Sequence, residues 1–393
     1  MNYEETLKNI NNTPKFSKIL GNSDLVRLLD KLGNPQNKLK FIHAAGTNGK
    51  GSVCAMLASV LQKSGLKTGL FTSPFIEVFN ERIRINGENI PDDILAEIAT
   101  HVKNTIDGMK IEISVFAQIT AIAFLYFSME KCDIVVLETG MGGRLDATNV
   151  ILHPQICIIT KIGLDHTDYL GNTIAEIAAE KCGIIKSGST VITCENQPDA
   201  AMSVIKSACA EKNVRLIIAP PCGYPLSLPG EFQKHNAGMA YAACRVLGID
   251  ENLIKDGFMH TSWAARFEFL RSDIILDGAH NPDGISALAD SLKKLGKPII
   301  IITAMMRDKA WRESAKILDA AADKIIVTQL SDPRCLTASE LASGFSSCEI
   351  IPDVQGTVRK AFENTDTDTI KCFCGSLYLA GEVRKTFKTL YNT

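Results

Sequence analysis

The chain has 393 residues, 46% of them apolar and 22% charged, which is enough for two globular domains with separate cores. Its formal net charge is -2, with Lys and Arg interspersed among Asp and Glu, so no basic face suited to a nucleic-acid backbone is expected, and small molecules are the expected partners. The start Met1-Asn-Tyr-Glu-Glu5 is acidic where an export signal is basic, and the longest apolar runs, 117–129 and 298–306, fall short of the roughly 20 residues that cross a bilayer, so a cytoplasmic protein away from the membrane is expected. A monomer is the expected state, although no residue pattern argues for it.

In chain order, apolar β-rich runs at 40–45, 67–71, 133–138, 155–160 and 190–194 predict strands, and helix-spaced apolar residues at 52–63, 92–103, 113–127 and 173–182 predict helices between them. That alternation predicts a parallel sheet with crossover helices, whose ligands sit at the strand C-ends. A second series begins near Arg266, with strands at 273–276, 298–303, 324–328, 349–351 and 369–374. The Pro/Gly-rich stretch 220–230 is a tempting boundary, but the helical pattern of 233–247 is assigned to the first domain. The expected division is therefore 1–261 and 265–393, with a hinge at 260–265. The predicted class is α/β: an N-terminal P-loop-type parallel-sheet ATPase domain followed by a C-terminal Rossmann-like domain. The twelve cysteines contain no C-x-x-C pair and mostly lie in apolar runs, so buried, reduced thiols are expected.

Phe41-Ile-His-Ala-Ala-Gly-Thr-Asn-Gly-Lys-Gly-Ser52 passes from an apolar strand through a glycine-rich turn into a helix, as a phosphate-binding loop does. Lys50 would place a charge near the transferred phosphoryl group, and Ser52 would reach a magnesium ion. The common pattern is altered, with Ala44 at its first glycine and Gly51 inserted before Ser52. By spacing alone, a glycine-rich turn with a solvated lysine stays open as the other reading. Glu138 ends the strand run 133–138 and suits Mg²⁺, although a surface carboxylate is the plain alternative. Asp165 and His166 follow the strand run 155–160, a third polar strand end, where a lone histidine is usually a surface or cap residue. Lys181 is by default a helix-face cation. In the second domain Asp277 and His280 follow a strand, with Pro282 opening the next helix. Strand C-ends presented by two α/β domains on either side of a hinge suggest a cleft that closes on ATP and an acceptor and excludes water.

Five blocks stand in one order: Leu32-Gly-Asn-Pro-Gln36 with His43 to Ser52; Thr72-Ser-Pro-Phe75 with Asn80-Glu-Arg-Ile83; Glu138 to Asn149; Leu164-Asp-His166 through Glu180-Lys-Cys-Gly-Ile184; and Asp277-Gly-Ala-His-Asn-Pro282. With these blocks the chain resembles, over nearly its full length, the folylpolyglutamate synthase and dihydrofolate synthase family of Mur-type ATP-dependent amide ligases. The resemblance implies that Thr47, Asn48, Gly49, Lys50, Gly51 and Ser52 hold the ATP phosphates, with Asn236, Arg266 and Asp277 completing the nucleotide site. It implies two Mg²⁺ ions linked to Ser73, Glu138 and His166, and a carbamylated Lys181. It further implies Phe116, Asp146 and Ala147 on the pterin side, and His280 and Ser376 for L-glutamate.

The implied reaction phosphorylates a dihydropteroate or folyl carboxylate, and the glutamate amine then attacks the acyl phosphate. His280 is the implied proton acceptor, an imidazole being able to titrate near neutrality. Three departures point to an altered pterin pocket: Ala265 in place of a glycine, Ala117 in place of a glutamate, and Leu20-Gly-Asn-Ser-Asp24 in place of a Leu-Glu-Arg-type stretch. The competing readings are a muramyl-peptide ligase, which needs a separate N-terminal domain for its uridine nucleotide, and a nucleotide-dependent switch that does not ligate.

Overall fold

The computed structural model describes residues 1–14, 21–364 and 366–391. They form two compact units. The first comprises Met1–Ile162, Asn172–Ser227 and Lys234–Thr261, and the second comprises Gly163–Gly171, Leu228–Gln233 and Ser262–Thr393.

The first unit holds strands β1 (Phe41–Ala45), β2 (Thr68–Phe71), β3 (Ile83–Ile85), β4 (Glu88–Asn89), β5 (Ile134–Glu138), β6 (Ile156–Ile159), β7 (Thr190–Cys194) and β8 (Arg215–Ala219). They form one sheet in the order β4-β3-β2-β5-β1-β6-β7-β8, parallel except where β3 pairs with β2 and β4. All five expected strands are present. Three more escape a periodicity search: β3 and β4 make a hairpin too short to show a period, and β8 is an edge strand with only its last residue buried. The central strands are buried from end to end because helices cover both faces, which is why they read as continuous apolar runs. The helices Lys50–Lys63, Asp92–Met109, Val115–Met129 and Ile174–Cys182 occupy the expected positions. Phe124 meets Phe41 edge-on at 5.5 Å, and a methyl on Gly69 of β2 would come within 2.9 Å of the Phe127 ring, so that strand carries glycine to let the helix approach.

The second unit holds β9 (Glu268–Arg271), β10 (Ile274–Leu276), β11 (Ile299–Thr303), β12 (Lys324–Val327), β13 (Glu349–Ile350) and β14 (Ile370–Cys374). Their order is β13-β12-β11-β14-β10-β9, with β9 alone antiparallel to its neighbour. The helix Pro282–Lys293 opens on Pro282, and its N-cap Asn281 accepts the Gly284 amide at 2.8 Å. Eleven of the twelve cysteines are buried, and all twelve are free thiols. Among the described residues no helix is long and apolar enough to cross a membrane.

A buried ion network closes the β10 side of this sheet. Asp273 accepts from Arg271 at 2.7 Å and from Lys371 at 2.9 Å, and Arg271 also donates to the Phe362 carbonyl at 2.8 Å. Burial opposes the Asp273 charge, but the hydrogen bonds and charges of Arg271 and Lys371 outweigh it and bring the carboxyl down to about 2. Asp273→Ala leaves the Lys371 ammonium enclosed without its counter-ion and is expected to cost about 3–5 kcal/mol, read from urea unfolding. A loss below about 1 kcal/mol would contradict this account.

Candidate active site

β1 runs straight into the glycine turn that precedes the helix Lys50–Lys63. Gly46 and Gly49 have φ of 155° and 91°. A side chain at either would collide, Gly46 with Thr160 Oγ1 at 1.8 Å and Gly49 with Asn236 Oδ1 at 2.3 Å. Both glycines are thus required by a close approach as well as by conformation. The Thr47 and Asn48 amides donate to the Lys161 carbonyl at 3.0 and 3.1 Å, which ties the turn to the end of β6. Lys50 Nζ folds back onto the turn, donating to the Gly46 carbonyl at 3.1 Å and to the Thr47 carbonyl at 3.4 Å. Ser52 is buried one turn into the helix. Gly46→Ala should therefore displace the turn and reduce ATP binding by about tenfold or more, measured by titration with a fluorescent nucleotide.

Lys181 is not the helix-face cation that its spacing suggests. Its side chain is buried, and Nζ donates to the Gly46 carbonyl at 2.8 Å, bringing the end of the helix Ile174–Cys182 beneath the phosphate turn. Backbone crowding holds it there: a methyl on Gly143 would lie 2.7 Å from both the Glu180 and Lys181 carbonyls, and the Arg144 amide donates to Glu180 O at 2.7 Å.

Glu138 ends β5 beside Ala44 of β1 and is buried, with Oε2 accepting the Ser73 amide at 3.1 Å. Burial first, and then the Glu138 charge, push the Cys54 thiol well above its ordinary value, while Lys50 acts in the opposite sense. Carboxylate and hydroxyl oxygens at 138 and 73 suit a hard divalent cation. Among the described residues no three His, Cys, Asp or Glu side chains gather as a cage, so nucleotide phosphates and water would have to complete the coordination.

Phe116, expected on the acceptor side, lies 5.7 Å from Phe71, and its ring passes so near Gly140 that a methyl there would come within 2.7 Å of it. Asp146 is buried and caps the short helix Ala147–Val150 through the Thr148 amide, and Ala147 is buried beside it. Ala117 and residues Gly21 to Asp24, both noted as departures, share one pocket with Glu112 and Ser114. Leu20 lies outside the described residues. Asn22 Nδ2 donates to the Asp146 carbonyl at 2.7 Å, a link that neither residue type nor spacing signals.

In the second unit, Arg266, Asp277, His280 and Ser376 come together where β10 and β14 end. A methyl on Gly278 would lie 2.4 Å from the Arg266 guanidinium. Asp277 is buried, accepting the Phe267 amide at 2.7 Å and the Ala279 amide at 2.8 Å; burial raises its carboxyl, with Arg266 opposing. Ala265 has φ of 55°, which explains why a glycine suits that position. Ser376 Oγ accepts the Tyr378 amide at 3.1 Å at the start of the helix Leu377–Tyr391.

The segment Gly163–Gly171 packs with this unit, so His166 belongs to it whereas Ser73 and Glu138 belong to the first. Asp165 takes a 2.7 Å contact from Lys309 and a 3.2 Å hydrogen bond from Asn281, and stands 3.7 Å from His280 Nε2. Burial would raise its carboxyl, yet the contact with His280 and the charges of Lys309 and His166 hold it far below the usual carboxylate range. Sequence reasoning misses Lys309, although it stands beyond the end of β11 much as Asp277 stands beyond β10.

These features define an ATP-dependent ligase of the Mur class: residues 44–221 match the Mur ligase middle domain, and residues 265–377 match the Mur ligase glutamate ligase domain. The chain is 32% identical to the dihydrofolate synthase/folylpolyglutamate synthase of Bacillus subtilis, over 98% of this chain and 99% of that one. Among solved structures it is similar to E. coli FolC in complex with DHPP and ADP, with a TM-score of 0.90, 27% identity and coverage of 99% and 98%. It is likewise similar to the bifunctional enzyme of Yersinia pestis complexed with AMPPNP and Mn ion, with a TM-score of 0.91, 26% identity and 98% of each chain covered. The chain belongs to the folylpolyglutamate synthase/dihydrofolate synthase family.

Proposed function

We propose that this protein uses ATP to join L-glutamate to the carboxylate of dihydropteroate and of reduced folyl-glutamates, giving ADP and phosphate. The observation that carries the reading is the phosphate turn, with Lys50 and Lys181 both directed at the Gly46 carbonyl, in a chain that matches both-activity relatives from end to end. Residues 1–261 are assigned the ATP phosphates and the acceptor, and residues 265–393 the amino acid, with Arg266 and Asp277 assigned to the nucleotide as well.

In the first half-reaction an acceptor carboxylate oxygen attacks the γ-phosphorus in line, the bond to the β-phosphate oxygen breaks, and ADP leaves. Thr47 to Ser52 hold the phosphates, with Lys50 countering the charge on the transferring group. Glu138 and Ser73 would hold a divalent cation, which when bound neutralises phosphate charge. In the second half-reaction the glutamate amine attacks the acyl carbon and phosphate leaves with its bridging oxygen, so the nitrogen must give up a proton. His280 is assigned that proton: its Nδ1 donates to the Gly278 carbonyl at 2.8 Å, and Asp165, 3.7 Å from Nε2, faces the ring and favours its protonated form. Ser376 is assigned to the amino acid.

The test is a glutamate-dependent product one glutamyl unit heavier than its acceptor, formed from dihydropteroate and from tetrahydrofolate in the presence of magnesium and ATP. Turnover of only one acceptor class would overturn the dual activity. ATP hydrolysis with no heavier product would favour a nucleotide switch instead.

A further inference from the structure

The loop after β5 is tied to β1 by three buried polar side chains, of which His43 and Thr148 have no part in the reaction scheme. His43, in the middle of β1, is fully enclosed, and its Nε2 lies 2.8 Å from Thr148 Oγ1. The Thr148 hydroxyl donates to Asp146 Oδ1 at 2.5 Å. That oxygen also accepts the Thr148 amide at 3.0 Å, while Oδ2 accepts the Met141 amide at 2.8 Å. Burial, the largest influence, raises the Asp146 carboxyl above its ordinary value, and the amides and the hydroxyl that donate to it act in the opposite sense.

A hydroxyl has one proton to give. With that proton on the Asp146 side, the Thr148 oxygen must accept from His43, which assigns the Nε2–H tautomer and leaves Nδ1, which has no hydrogen-bond partner among the described residues, as a bare lone pair. Burial, with a smaller contribution from Lys186, lowers the imidazole to about 3, so the ring is neutral at working pH. The chain of bonds therefore has one direction, His43 to Thr148 to Asp146, and the Asp146 carboxylate is fully engaged inside the protein.

We propose that His43 and Thr148 are positioning residues for the acceptor: acting through Asp146, they hold loop 140–149 in the shape that receives the acceptor heterocycle and anchor it to the strand that ends in the phosphate turn. The proposal rests on the ligase reading above. Asp146 then serves the acceptor by shaping the loop, with Phe116 over Gly140 and Ala147 forming the surface offered to it.

Thr148→Val keeps the side-chain shape without the hydroxyl, and Thr148→Ser keeps the hydroxyl. In Thr148→Val the acceptor KM is expected to rise about tenfold, with kcat and the KM for ATP within about twofold of wild type, and Thr148→Ser is expected to recover most of the loss. An unchanged acceptor KM in Thr148→Val, an equal rise for ATP and acceptor, or a serine variant as poor as the valine one would overturn the proposal. Should Thr148→Val not fold, ¹⁵N NMR of the wild-type imidazole decides. A protonated Nε2 and a bare Nδ1, unchanged from about pH 6 to pH 8, are expected, and a protonated Nδ1 would overturn it. Absence of ligation by the wild-type protein would sink the ligase reading, whereas ligation with an unmoved acceptor KM would sink only the positioning role.

Discussion

Alanine at Lys50 is expected to lower the rate of ligation by about 10³-fold or more, with the fold intact. The Lys50 ammonium rests on the carbonyls of the turn it serves, at 3.1 and 3.4 Å, so a small rotation brings it onto a phosphate seated at the helix N-terminus. Removing one preorganised donor from a site of developing charge typically costs about 10²–10³ in kcat, and a full positive charge facing a transferring phosphoryl group stands at or above that range. Lys50→Arg should recover little, because a planar guanidinium does not fit where a compact ammonium folds over two carbonyls. The measurement is phosphate release at saturating acceptor and glutamate, alongside a thermal unfolding midpoint to show that the variant is folded. Wild-type turnover in a folded Lys50→Ala protein would remove the turn from the chemistry.

Lys181→Ala carries the second large effect, an expected loss of about 10²–10³-fold. Two consequences combine. The Gly46 carbonyl loses a buried donor at 2.8 Å, which loosens the turn carrying Lys50, and the site loses whatever charge the lysine presents. The charge is proposed to be negative: the neutral amine adds to the carbon of CO₂ and releases one proton, leaving a carbamate. If so, short carboxylic acids should partly restore Lys181→Ala, and ¹³C-labelled bicarbonate should give the wild-type protein a carbamate resonance. Full activity of the wild-type protein in CO₂-free buffer, together with no rescue, would eliminate the carbamate and leave an ammonium donating to Gly46. The size of the loss in Lys181→Ala then measures that donor alone.

The reactive strand ends can be found in the chain by inspecting the residues just beyond each apolar run, because a parallel sheet places all its C-ends along one edge. That rule locates the turn at 46–52 after β1, Glu138 at the end of β5, and Asp277 after β10. It applies equally to Lys309 after β11, which escapes notice because a lysine beyond an arginine and an aspartate looks like ordinary solvated charge. The strands β3, β4, β8 and β9 escape for another reason. Only the last residue of β8 and none of β9 is buried, and β3 and β4 have three and two residues, too few to show a period.

Local order is covalent, and strand, glycine turn and helix succeed one another in the chain whatever the rest does. The α/β class, the phosphate turn and most of the chemical groups are therefore readable from the residues alone. Contacts between distant residues are not written locally. Lys181 reaches Gly46 over 135 residues, and His43 meets Thr148 over 105, because the sheet sets β1 beside β5 and β6 and the glycines at 46, 140 and 143 let the neighbouring segments close in. Whether a given lysine is solvated or enclosed beneath a phosphate turn, and which way a buried histidine carries its proton, depends on that packing and on nothing within a few residues of either.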